Sequence, residues 1–491
     1  MSDILTQDQT TASAPVSDTE IVKVERALID QSAQAPLLFL YTSAILWLLT
    51  STILGTIAAI KLQQPDFLGG VPWLTYGRVW PAFTNSFGYG WASQVAMGTG
   101  IWLVARLAHV SLRRPTLLIF GTVFWNVGVT AGVIAILAGK GQGIEWLEFP
   151  GFVQAILFAG FVLVGAWVAT MFRLRRPGHA YISLWYLAGA FFWFAWLYSA
   201  ANLMIGVVHV HGVVQAVVGA WYANNFLSLW LTSIGLGSIY YFIPKVSGKP
   251  VHSYHLASLG FWSFALLAGW TGMTRLIGGP LPAWLITVSI VANIMMIIPV
   301  ATVMVNFVLT LRGNYNLIYF SPTIRFVFFG AIAYAVASAL GLVSSLRSVA
   351  SITQYTNFSI AHSQLLIYAF FSMVMFGSIY YIVPRLVGCE WLSSRLISLH
   401  FLGAAYGGGL VILTTLLGGI VQGAAWNNPE ESSSLVIQSM APFIVGRCIG
   451  WIFLIFGHLF FALHFLTMLL RLGRPSGRPT LFPTHHEEGA H

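Results

Sequence analysis

The sequence predicts an all-α integral membrane protein of twelve transmembrane helices, arranged as three pseudo-symmetric arcs of four. Three observations carry this. Of the 491 residues, 57% are hydrophobic and only 8% charged, whereas a soluble chain carries about a quarter charged. Twelve stretches reach the roughly 20 apolar residues that a spanning helix needs. A motif then returns at a four-helix interval.

In order, residues 1–30 hold six carboxylates in a run poor in apolar residues. They read as a disordered tail rather than a signal peptide, which would open with a basic end and an apolar stretch. The spans follow as α1 37–61, α2 82–106, α3 116–138, α4 151–172, α5 180–206 and α6 218–243. The second half gives α7 254–276, α8 283–310, α9 322–346, α10 357–384, α11 396–421 and α12 440–470. Residues 31–470 thus form one membrane domain, and 471–491 form a second tail. As drawn, the twelve spans contain no Asp or Glu, and buried carboxylates are the usual stepping stones of a proton relay.

Seventeen of the 23 Lys and Arg residues fall on the side that carries both termini, and six fall on the other. Cytoplasmic loops carry the basic excess, so both termini are expected in the cytoplasm and the protein in a bacterial-type inner membrane. This asymmetry accounts for the net charge of +9 without a nucleic-acid partner. Two cysteines, Cys389 and Cys448, exclude a disulfide scaffold and a thiolate metal cluster.

GSIYYFIPK (237–245) closes α6, and GSIYYIVPR (377–385) closes α10, 140 residues later. A fainter copy, GTGIWLVAR (98–106), closes α2. Recurrent aromatic and basic residues at helix ends would produce some likeness, but two copies share six of nine residues. Parallel repeats imply a rotation axis along the membrane normal. Fifteen residues before the three glycines stand Phe83, Tyr222 and His362, and thirteen before stand Asn85, Asn224 and Gln364.

Several stretches carry a family likeness: LTYGRVWPAFTN (74–85), WYANN (221–225), KPVHSYHLAS (249–258), YTNFSIAHSQ (355–364) and GGIVQGAAW (418–426). With these the chain resembles the catalytic subunit I of the haem–copper oxidases, most closely the C-family of cytochrome cbb-type oxidases. The resemblance implies a cytochrome c oxidase-like oxidoreductase that needs six histidines, two for a low-spin haem, one for a high-spin haem and three for copper. The low-spin ligands fall on Phe83 and Gln364, and the copper ligands on Asn224, Thr274 and Arg275. The active-site tyrosine falls on Ala268, and His362 alone is kept.

His362 has two readings. It is the proximal ligand of a single five-coordinate haem b, or a relic bonded to Gln364 or a helix-end carbonyl. Arg447 likewise is a haem-propionate contact or an interfacial anchor. His458 and His464 on α12 read as packing residues, as does His400, which the family carries without using it as a ligand. His209 and His211 read as surface residues, and Glu145 and Glu148 as a solvated loop. No copper is expected.

Three functions follow. The preferred one is a pseudo-oxidase, a non-catalytic subunit of a respiratory electron-transfer complex that docks membrane-anchored c-type cytochromes or a catalytic paralogue. The second is an active terminal oxidase or nitric oxide reductase with unusual ligation. The third is a transporter or quinol-binding module that uses the vacated haem cavity.

Overall fold

A computed structural model describes residues 18–475. Among the described residues eleven helices are long and apolar enough to cross a membrane: α1 within Asp18–Gln63, α3 Pro115–Leu137, α4 Gly151–Leu174, α5 Ile182–Val207, α6 Val213–Ser247, α7 Tyr254–Leu276, α8 Ala283–Leu311, α9 Pro322–Ser345, α10 Asn357–Val387, α11 Ser394–Trp426 and α12 Ser433–Leu469. The remaining expected span, α2, is helical throughout residues 76–108 but is not among the eleven. Its polar run of Thr84, Asn85, Ser86, Ser93 and Gln94 explains this. The helix is enclosed by protein over most of its length, so it has no need of a lipid-compatible surface.

Burial separates an inner set of helices from an outer one. The most apolar window of α6 is 89% buried and that of α10 is 94%, against 22% for α8. The expected repeat is written into the backbone of the inner helices. Each of α2, α6 and α10 carries a π-helical turn, at Ser86–Ala92, Phe226–Thr232 and Leu365–Ser372, at matching places in the three arcs. At each turn one hydroxyl satisfies a carbonyl five residues back: Ser93 to Gly88, Thr232 to Leu227 and Ser372 to Ile367, at 2.8–2.9 Å. These bonds replace pairing that the π register disturbs.

The same hydroxyls link the arcs. Trp91 of α2 donates its indole N–H to Ser372 of α10 at 3.0 Å, and Trp230 of α6 donates to Ser93 of α2 at 3.3 Å. The equivalent residue on α10 is Phe370, which has no donor, so the third side of this ring is closed by packing against Gly235 of α6. On the periphery, α11 and α12 meet backbone to backbone. A Cβ on Gly403 would lie 2.6 Å from Cα of Gly457, and one on Gly450 would lie 2.7 Å from Val411. Small residues permit such approach where lipid supplies no hydrophobic drive.

One expectation fails. The first helix begins at Asp18, so residues 18–30 are helical and not a disordered tail. Two carboxylates of this segment, Glu25 and Asp30, are held by distant partners. Asp30 accepts from Arg106 at 2.6 Å and from Trp102 at 3.0 Å, and Glu25 pairs with Arg176 at 2.8 Å. Ile29 and Ala33 are buried on the same face. Residues 1–17 and 476–491 of the two expected tails lie outside the described residues. Glu390 N–H donates to the Arg474 carbonyl, which ties the last described residues to the α10–α11 loop.

Candidate functional site

The inner helices enclose two adjoining cavities toward the end of the bundle opposite the termini. Arg275, at the end of α7, lies between them and lines both. The last nine residues of this helix, Ala268–Leu276, wind as a 3₁₀ helix, a long run for that geometry. Arg275 pairs with Glu145 at 2.8 Å and donates to Ser363 at 3.2 Å, and its carbonyl accepts from the Gln354 amide.

The smaller cavity, about 100 Å³, gathers Asn224, Thr274, Arg275 and His362. The residues expected around the copper and the high-spin haem do therefore converge. Asn224 donates to Thr271 Oγ1 at 2.9 Å, and the Thr274 hydroxyl donates to the Thr271 carbonyl at 2.9 Å. His362 Nε2 lies 2.9 Å from the carbonyl of Ala337, within α9. A carbonyl only accepts, so Nε2 carries the proton and its lone pair is unavailable to a metal. Ala268, where the tyrosine would stand, is fully buried.

The larger cavity, about 200 Å³, lies between α2, α10, α11 and α12, with Phe83 and Gln364 among its walls. Its aromatic side chains are Trp80, Phe83, Phe87, Trp146, Tyr368 and Trp451, and Phe83 meets Trp451 edge-on at 5.2 Å. His458 lies at the base, 2.7 Å from Thr52 Oγ1 through Nδ1 and 3.0 Å from the Tyr368 hydroxyl through Nε2. Both ring nitrogens are thus engaged. The Gln364 carboxamide oxygen is enclosed and has no hydrogen-bond partner.

The mouth is polar and differs from the solvated loop expected. Glu145 is exposed, but Glu148 is partly buried and takes a hydrogen bond from Asn85 Nδ2 at 2.8 Å. Burial pushes its carboxyl up to about 8, with the nearby Glu145 charge adding to the effect and the Asn85 bond opposing it. Glu148 is therefore mostly protonated at neutral pH.

Arg447 is no interfacial anchor. It is 3% exposed, with its guanidinium 5.2 Å from the Trp80 ring centre. Its Nε and Nη2 are enclosed without a hydrogen-bond partner.

A profile of the family "Cytochrome C and Quinol oxidase polypeptide I" matches residues 35–469. The chain belongs to this family. Relatives include a cytochrome c oxidase subunit 1 homolog of Azorhizobium caulinodans, 28% identical over 88% of this chain and 82% of the relative. A cbb3-type cytochrome c oxidase subunit, CcoN1, of Stutzerimonas stutzeri is 26% identical over 85% of this chain and 90% of its own. The cytochrome c oxidase subunit 1 of Rhodobacter capsulatus is 27% identical, covering 85% and 82%.

The haem and copper groups of the subunit I family can be tested against these side chains. Copper fails, because Asn224 and Thr274 are spent on local hydrogen bonds and Arg275 brings a permanent positive charge. The low-spin haem fails on both axial sides, since neither a phenyl ring nor a carboxamide replaces imidazole there. Volume adds to this. A cavity of about 150 Å³ takes one benzene ring, and a four-pyrrole macrocycle needs several times that, against about 200 Å³ here. The high-spin haem fails because His362 Nε2 is bonded to Ala337.

Sequence reasoning missed Asp30, the burial of Glu148 and the place of His458 beside the cavity. The LTYGRVWPAFTN stretch did contain a signal for Trp80, which lies three residues, about one helical turn, before Phe83.

Proposed function

We propose that this subunit I family member is a pseudo-oxidase, a membrane subunit of a respiratory electron-transfer complex that does not itself reduce oxygen or nitric oxide. The observation that carries the reading is the chemistry at the six ligand positions. Five are held by Phe83, Gln364, Asn224, Thr274 and Arg275, and the sixth, His362, is turned into a helix backbone. Oxygen reduction needs an electron entry, a metal pair and a proton donor, and each is missing for a different reason. His362 is then a packing residue rather than a haem b ligand. Retention of the fold beside loss of the site favours a role in assembly, with membrane-anchored c-type cytochromes or a catalytic paralogue as partners. The basic asymmetry supports both termini in the cytoplasm and an inner-membrane location.

Oxygen uptake and the reduced-minus-oxidised spectrum of the purified chain test this. The expected result is no uptake with reduced cytochrome c above a heat-killed control, and no bis-imidazole haem signal, while cytochrome partners co-purify. Turnover by the isolated chain overturns the proposal.

A further inference from the structure

The ninth residue of each copy of the repeat is basic: Arg106, Lys245 and Arg385. The fifth is aromatic, Trp102, Tyr241 and Tyr381, one helical turn earlier on the same face. The structure closes both sets around one axis at the end of the bundle that carries the termini. Each of the three rings meets the other two, with centres 5.7, 6.0 and 6.4 Å apart. Arg106 lies 5.0 Å from the Trp102 ring centre, and Arg385 lies 3.5 Å from that of Tyr381. Arg106 and Arg385 both act electrostatically on Lys245, and so does Arg26, which α1 brings to the same place. A floor of three rings thus carries a rim of four cations.

Little counter-charge meets them. Asp30, one turn after Arg26 on α1, is held by Arg106 at 2.6 Å and by the Trp102 indole at 3.0 Å. Glu25 is paired with Arg176 at 2.8 Å. None of the ion pairs among the described residues includes Arg26, Lys245 or Arg385. Even Arg106, with its side chain 9% exposed, keeps Nε without a hydrogen-bond partner. Four cations against Asp30 leave an excess of three positive charges. The uncommitted ones can be reached, since Arg26 and Lys245 are exposed and Arg385 is half-buried.

Basic residues at helix ends serve topology wherever they stand, and that role asks for no convergence. These four converge. The apolar windows of α6 and α10 are 89% and 94% buried, so the ends of these helices open on water rather than among lipid headgroups. A carboxylate would answer one charge of the excess. A phosphate compound answers two or more, and its oxygens accept from guanidinium and ammonium groups together.

We propose that this ring binds one compact, multiply charged phosphate compound from the aqueous phase, with Arg26, Lys245 and Arg385 as direct contacts and Arg106 adding to the field. The site is at the opposite end of the bundle from the two cavities, so it stands whether or not the chain reduces oxygen.

The test dialyses the full chain, in a non-ionic detergent and magnesium-free buffer, to equilibrium against radiolabelled pyrophosphate. Binding saturates at one per chain and weakens as salt rises, as expected for exposed charges. Sulfate, with less charge, binds about fivefold or more weakly. Lys245→Gln and Arg26→Gln each loosen pyrophosphate by about fivefold, the scale of one unit charge at contact distance in water. Both side chains are exposed, so the variants keep the wild-type thermal midpoint. Arg113→Gln removes another exposed basic residue from the same side and leaves the affinity unchanged. Binding that never saturates overturns the inference, as does an equal loss in Arg113→Gln, which marks a general surface attraction. Tighter binding of dioctanoyl phosphatidate than of pyrophosphate places a lipid headgroup there and overturns the aqueous assignment.

Discussion

Glu148→Gln is the most informative single change, because it removes a titrating group while keeping the shape and the bond from Asn85. The wild-type carboxyl is pushed up from 4.5 to about 8 by burial. Between those values the folded chain holds a proton that the unfolded chain releases. Stability is therefore greatest below pH 4.5, falls as pH rises toward about 8, and levels off above it. At about 1.4 kcal/mol per pH unit the total is at most about 5 kcal/mol. Part of the side chain still meets solvent, so the observed loss should fall below that ceiling. The glutamine variant has no such dependence. Its thermal midpoint in detergent should track the wild type near pH 5 and exceed it progressively up to pH 8.5. Other titrating groups cancel in the difference between the two proteins. Parallel pH profiles for wild type and variant would refute the argument, as would a wild type gaining stability relative to the variant as pH rises.

Three further expectations concern the scaffold. Ser372→Ala leaves the Trp91 indole N–H buried without its acceptor, so it should cost about 1–3 kcal/mol in denaturant or thermal unfolding. Ser93→Ala should cost less, because Trp230 reaches that hydroxyl at a longer 3.3 Å. Gly450→Leu drives a side chain into Val411 and the Gly407 backbone, and should lower the thermal midpoint sharply, while Gly70→Ala, with nothing within 4 Å, should be silent in the same assay. Reporter fusions at Gly141 and Gly178 should land on opposite sides of the membrane, the first outside, and both on one side would break the topology.

What the sequence exposed was whatever depends on composition and spacing. The apolar runs located the spans, and the 140-residue interval between GSIYYFIPK and GSIYYIVPR placed α6 and α10 as equivalents. That spacing also brought Phe83, Asn224, His362 and Gln364 to the right level of the bundle, where two cavities now contain them. The rest depends on partners far along the chain. Nothing near Asp30 announces Arg106, 76 residues away, so its run of carboxylates looked like a solvated tail. Glu148 sits in a loop, and only the burial of that loop against the bundle makes it neutral at pH 7, with the Asn85 bond opposing the change. The π turns leave no mark in composition, because they change which carbonyl meets which N–H and not which residues are apolar.

Those turns bear on how such a fold can change what its inward positions hold and still keep its shape. Each inserts a residue into an otherwise α-helical path, which swings the segment beyond it by about 100° around the helix axis. The swing sets which side chains at 83–85, 222–224 and 362–364 look inward. It is latched within each helix by Ser93, Thr232 and Ser372, whose carbonyl partners lie on the same strand of backbone. Aim is thus decoupled from cargo. A lineage can exchange what those positions hold one residue at a time, and the sightlines into the cavities survive every exchange. Deleting a single residue from one of these turns, such as Leu227, should do more damage than replacing any inward-facing side chain, because it re-aims an entire half-helix.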